Sequence, residues 1–180
     1  MPHILSGILS LIQYKMEVES SLEEKYRPKH CESCGRLRPR RHGTYPRGAD
    51  RVNKSTDSLN PILIQRYYCP SCRKTMSALP ECVSPRRWYL WEFQQTVLLS
   101  VLLGKSIYQV ALEVLPSRHT VARWCKWFKE QYRLHRDTLC THYHALTGAA
   151  SFNRFWEDCL EAMPLSSAMR LCQIAGVIIP

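Results

Sequence analysis

At 180 residues and 45% apolar content, the chain is long enough for one medium domain or two small ones and too apolar for disorder throughout. Its formal net charge of +10 is concentrated between residues 25 and 87, where fifteen Lys/Arg, eleven of them arginine, face four acids. That balance points to a polyanion, because neutralising phosphates releases condensed counterions; a solvated basic loop is the bland alternative.

In chain order, residues 4–25 are expected to form an amphipathic helix. Leu5, Leu9, Ile12 and Met16 would lie on its apolar face, opposite Glu17, Glu19, Glu23 and Glu24. Packing on the domain or on a second copy of the chain in a homodimer would cover that face. The apolar run Ile4–Ile12 has no basic residues ahead of it and falls far short of the roughly 20 residues that cross a bilayer. The expectation is therefore a cytoplasmic protein without a membrane segment. Nine cysteines, an odd number, then suit a metal site better than a secreted disulfide framework.

Residues 29–83 hold the strongest motif. Cys31-Glu32-Ser33-Cys34 and Cys69-Pro70-Ser71-Cys72 are two Cys-x-x-Cys knuckles, and four thiolates in two tight pairs close a tetrahedron around one Zn²⁺. Redox thiols are the alternative, but Gly35 and Pro70 suit knuckle turns rather than the start of a helix. The 34 residues between Cys34 and Cys69 exceed the usual interval of about 15–20, so an inserted loop is expected over 36–60, rich in glycine, proline and arginine. Ile62–Tyr68 reads as a strand that delivers the second knuckle, and Cys82 is a reserve ligand. Arg38, Arg40 and Arg41 are the candidate phosphate contacts of this module.

The period changes after the second knuckle. Over 84–135 three helices are expected: one capped by Ser84 with Pro85 in its first position, carrying Trp88, Trp91, Gln95, Leu98, Leu99 and Leu102 and ending at Gly104; one from Ser106 to Val114; and one capped by Ser117. In the third, Val121, Trp124, Cys125 and Phe128 follow the i, i+3, i+4, i+7 rule. This is the skeleton of a helix-turn-helix, or else a generic helical hairpin with a basic solvated face. Ser117, Arg118, His119, Ala122, Arg123 and Lys126 fall on the outer face, with Arg118 and Arg123 suited to bidentate contact with guanine or phosphate.

Together, the first knuckle, the run Arg66 to Ser77 and the downstream helices resemble the N-terminal zinc ribbon and DNA-binding module of bacterial insertion-sequence transposases and their small regulatory partners. The resemblance covers residues 31–130. It implies metal roles for Cys31, Cys34, Cys69 and Cys72, DNA roles for the exposed positions of the third helix, double-stranded DNA as partner and a bacterial, nucleoid-associated location.

Catalytic chemistry has little support. A DDE transposase needs three carboxylates converging on two Mg²⁺, whereas Glu130, Asp137, Glu157, Asp158 and Glu161 lie within 32 residues, too few for the sheet such enzymes use. His142-Tyr143-His144 would hold a metal only on a strand, and its surroundings read as helix end and loop. Residues 136–180 are expected to be a helical tail, with a helix over 151–163 and an apolar end from Leu165. The combined expectation is a mainly α protein with a small β zinc ribbon, a three-helix helix-turn-helix module and flanking helices. It would bind element ends sequence-specifically without catalysis. The alternatives are the N-terminal part of an active DDE transposase and a zinc-stabilised scaffold for RNA or protein.

Overall fold

A computed structural model describes residues 2–19, 26–48, 60–85, 89–177 and 179. The chain divides into two compact units, 1–90 and 91–180. Among the described residues there are seven α-helices and one four-stranded sheet.

The first unit is built on strands β1 (His3–Leu5), β2 (Arg40–Arg47), β3 (Ile62–Tyr68) and β4 (Thr75–Pro80), in the order β1-β4-β3-β2. β2, β3 and β4 are antiparallel neighbours, while β1 joins β4 in parallel. The expected helix over 4–25 is thus replaced at its start by a strand. Gly7, at φ 79°, turns the chain, and Ser10 caps a short helix α1 (Leu11–Tyr14) by accepting from the Gln13 amide. A π-helical segment, Lys15–Glu19, continues it, and residues 20–25 lie outside the described part. The buried residues are Leu5, Ile8, Tyr14 and Val18, whereas Leu9, Ile12 and Met16 of the expected apolar face are exposed. Tyr14 donates its hydroxyl to the Leu63 carbonyl, and the Gln65 side-chain amide donates to the Val18 carbonyl, which fixes this segment on β3.

The expected loop over 36–60 is likewise part strand. Between the pairs Arg41↔Tyr67 and Thr44↔Gln65 the register slips by one residue, and Gly43, at φ 80°, occupies the resulting bulge. Pro46 is tolerated because β2 is an edge strand. The remainder of the insertion, 49–59, lies outside the described residues.

The second unit contains the other six helices: α2 (Trp91–Leu102), α3 (Ile107–Glu113), α4 (Arg118–Glu130), α5 (Tyr132–His142), α6 (Phe152–Ala162) and α7 (Leu165–Ile174). α2 begins at Trp91 rather than Pro85, and Leu90, the residue before it, is held in an antiparallel bridge to Val83; Trp88 lies outside the described residues. It ends as expected at Gly104, whose amide returns to Val101 while that of Lys105 returns to Ser100, a Schellman closure with glycine at φ 92°. The apolar end from Leu165 is helix α7, burying Leu165, Ala168, Met169 and Cys172 at 3.6-residue spacing. Phe128, Phe155 and Trp156 form the centre of this core, with ring centroids 5.2–5.3 Å apart in edge-to-face pairs. His142, Tyr143 and His144 sit at the end of α5 and the start of a 3-10 turn, not on a strand. Among the described residues, no helix is long and apolar enough to cross a membrane.

Candidate metal centre and basic helix face

Two local folds of the same design bring the cysteines together. In the first knuckle the Cys31 amide donates to the Arg36 carbonyl at 2.8 Å, and in the second the Cys69 amide donates to Lys74 at 2.9 Å. Each then needs a left-handed residue four positions after its first cysteine. Gly35 fills it at φ 69° without strain, and Arg73 fills it at φ 56° against its Cβ. Hairpin β3–β4 supplies the second knuckle as its turn, and the His30↔Leu37 bridge closes the first just before β2. A contact between His3 Nδ1 and Glu32 Oε1 at 3.0 Å ties β1 to the first knuckle.

The result gathers Cys31, Cys34, Cys69 and Cys72, with all four sulfurs within 4.8 Å of one another. Cys31 and Cys72 Sγ are 3.6 Å apart, as are Cys34 and Cys69 Sγ. Sulfurs at about 2.3 Å from a tetrahedral ion would be separated by about 3.8 Å, so the donor set fits one such ion with little movement. Cys82 is outside the group.

Local electrostatics differ among the thiols. Burial opposes ionisation of Cys31, but the Ser33 and Cys34 amides and the Cys72 and Cys34 thiols outweigh it and hold its pKa below the ordinary value. At Cys69 the Cys72 amide, opposed by desolvation and helped by the Ser71 amide and the Cys34 and Cys31 thiols, brings the pKa down to about 6. Cys34 receives the Arg36 amide, yet desolvation and the three surrounding thiols push it up to about 11. Cys31 and Cys69 are therefore readier thiolates than Cys34. Four negative sulfurs at this spacing coexist only around a cation, whose binding displaces the remaining protons.

Arg38, at φ 52°, and Arg40 and Arg41 at the start of β2 are all exposed close to the first knuckle in sequence. Pairing places Arg40 opposite Tyr68 and Arg41 opposite Tyr67. The His42 and Tyr68 rings are 5.6 Å apart.

The other expected site residues gather on α4. A capping box between Ser106 and Gln109 starts α3, and Ser117 starts α4 by accepting from the Thr120 amide. Val121, Trp124, Cys125 and Phe128 are buried, as their spacing requires. Ser117, Arg118, His119, Arg123 and Lys126 are exposed, while Ala122 is half-buried; Lys126 pairs with Glu130 at 3.6 Å. α3 and α4 are joined by Val114–Ser117, in which Pro116 is buried and Leu115 exposed. Sequence reasoning did not single out Arg47, which is half-buried and donates to the Ser84 carbonyl at 2.8 Å. Its position two residues after Tyr45 on an alternating strand was the available signal.

A family model described as "Domain of unknown function (DUF6431)" matches residues 30–124, slightly more than half of the chain, and takes in both knuckles as well as α2, α3 and the first half of α4. No curated protein and no solved structure matches the chain.

Proposed function

The chain belongs to the DUF6431 family, and since that description assigns no activity, we propose from its residues that it is a DNA-binding protein of transposase type, without catalytic activity of its own. In this reading Cys31, Cys34, Cys69 and Cys72 hold a structural Zn²⁺ in a ribbon, and α3 and α4 form a helix-turn-helix that reads insertion-element ends. When bound, zinc would supply a tetrahedral cross-link between the two knuckles, and four thiolates are a donor set it favours.

The observation that carries the reading is α4 itself: one face buries Val121, Trp124, Cys125 and Phe128, and the other exposes Arg118, His119, Arg123 and Lys126 from a Ser117 cap. A helix N-terminus with arginines on its free face suits the major groove, where Arg contacts guanine O6 and N7 in a fork. The sheet unit adds sequence-independent attraction through Arg38, Arg40 and Arg41. Selection of bound duplexes from a random-sequence pool tests the assignment. Enrichment of one motif by the wild type, weakened or broadened in Arg118→Ala and Arg123→Ala, is expected; affinity that those variants leave unaltered would remove α4 as the reader.

A further inference from the structure

The face of the sheet that carries Tyr45, Arg47, Arg66 and Ser77 contains a cavity of about 230 Å³. β2 contributes Tyr45 and Arg47 to its lining and β4 contributes Thr75 and Ser77, with Pro2 and Pro85 among the apolar walls. The volume is below the roughly 300–1,000 Å³ of sites that enclose a cofactor or drug-sized ligand, and it suits one small group. Among the described residues of its lining there is one guanidinium with three hydroxyls, and no carboxylate.

These groups are held in place before any ligand arrives. Tyr45 donates to Ser77 Oγ at 3.2 Å, and Arg47 donates to the Ser84 carbonyl at 2.8 Å. Arg66 lies 5.8 Å from the Tyr45 ring centroid, in cation–π contact, and donates to the Thr75 hydroxyl at 3.2 Å, so a second cation borders the cavity. Glu32 and Glu81 are engaged elsewhere, with His3 and with the Gly7 amide. We propose that this cavity seats one backbone phosphate of a bound DNA strand, with Arg47 as its counter-charge and the hydroxyls of Tyr45, Thr75 and Ser77 as further donors. Desolvation of Arg47, which lowers its pKa against the opposing effect of Tyr45, makes an anion at this position more favourable than at a solvated arginine. The sheet face then becomes a second DNA contact, separate from the α4 residues and from Arg38, Arg40 and Arg41.

The inference rests on the DNA-binding reading, and its test separates the two. Binding of the zinc-loaded full chain to a short mixed-sequence duplex is measured at several salt concentrations for the wild type, Arg47→Gln, Arg47→Lys and Arg123→Ala, with folding checked by circular dichroism. Arg47→Gln is expected to weaken binding about tenfold, the scale of a charged hydrogen bond. Its salt slope should fall by about 0.9, the loss of one phosphate contact. Arg47→Lys should keep the slope and lose part of the affinity, and it decides the matter if Arg47→Gln fails to fold; full affinity in whichever variant folds overturns the proposal. Inorganic phosphate titrated alone provides the other arm. If it binds the wild type and not Arg47→Gln, while the duplex slope is the same in both, the cavity serves free phosphate and the DNA assignment is overturned. Loss of duplex binding in Arg123→Ala with none in Arg47→Gln overturns the cavity alone, and a wild type that binds no duplex overturns both readings.

Discussion

The two units reach a folded state by different means. The helical unit has a conventional core in which Phe128, Leu139, Phe155, Trp156, Leu165 and Met169 are almost wholly buried. The sheet unit also buries Tyr14, Ile62, Ile64 and Tyr67, but Cys31 and Cys69 belong to that same cluster, and its two knuckles bring four sulfurs within 4.8 Å of one another. Where a core meets through thiols, bound metal is part of the folding free energy. One unit should then answer to chelators and the other to apolar truncation.

The largest effect is expected at the sulfurs. Cys69→Ser should abolish metal binding and remove much of a contribution on the order of 10 kcal/mol, unfolding the sheet unit while the helical far-ultraviolet signal persists. Trp156→Ala should act in reverse, costing about 3–5 kcal/mol in denaturant melts of the helical unit and leaving metal content unchanged. Alkali sharpens the same contrast. Burial, helped in the case of Cys159 by nearby Cys172 and Cys140, pushes the Cys159 and Cys172 thiols up to about 12 from an ordinary 9.0. The unfolded chain loses these protons first, so their stabilisation is complete below pH 9 and is lost as the pH rises towards 12, which thermal melts of the helical unit should record.

Smaller effects concern binding. Arg118→Ala or Arg123→Ala should cost about 1–3 kcal/mol on the preferred duplex and relax specificity, whereas neutralising Arg40 or Arg41 should weaken all duplexes alike and lower the salt slope by about one per contact. Titrations on selected and scrambled duplexes distinguish the two behaviours. Ser117→Ala, which removes only the α4 cap, should lower stability by about 1 kcal/mol in a thermal melt.

The same contrast explains what the sequence made legible. Thiol pairs and capped helices are local patterns: Ser106, Ser117, Gly104 and the run Val121–Phe128 placed α3, α4 and the end of α2, and the four cysteines named their own cluster. The strands at the sheet margins were missed, because pairing depends on partners distant in sequence. β1 is three residues long and joins β4 some 75 positions away, as in His3↔Ala78, while β2 carries Gly43 and Pro46, residues that punctuate loops unless a bulge and an edge accommodate them. α7 did show its spacing in Leu165, Ala168, Met169 and Cys172, and it was passed over because it offered no chemical motif. The cavity beside Arg47 was out of reach, since it joins residues of β2 and β4 across β3.

Hydrogen exchange of the full chain, read by mass spectrometry before and after a zinc chelator, tests the central claim most directly. The account predicts one Zn²⁺ per chain at the start; after chelation, amides of residues 26–48 and 60–85 lose protection while those of 91–177 keep it. A protein that carries no metal as purified and shows the same protection in both units with chelator present would contradict it.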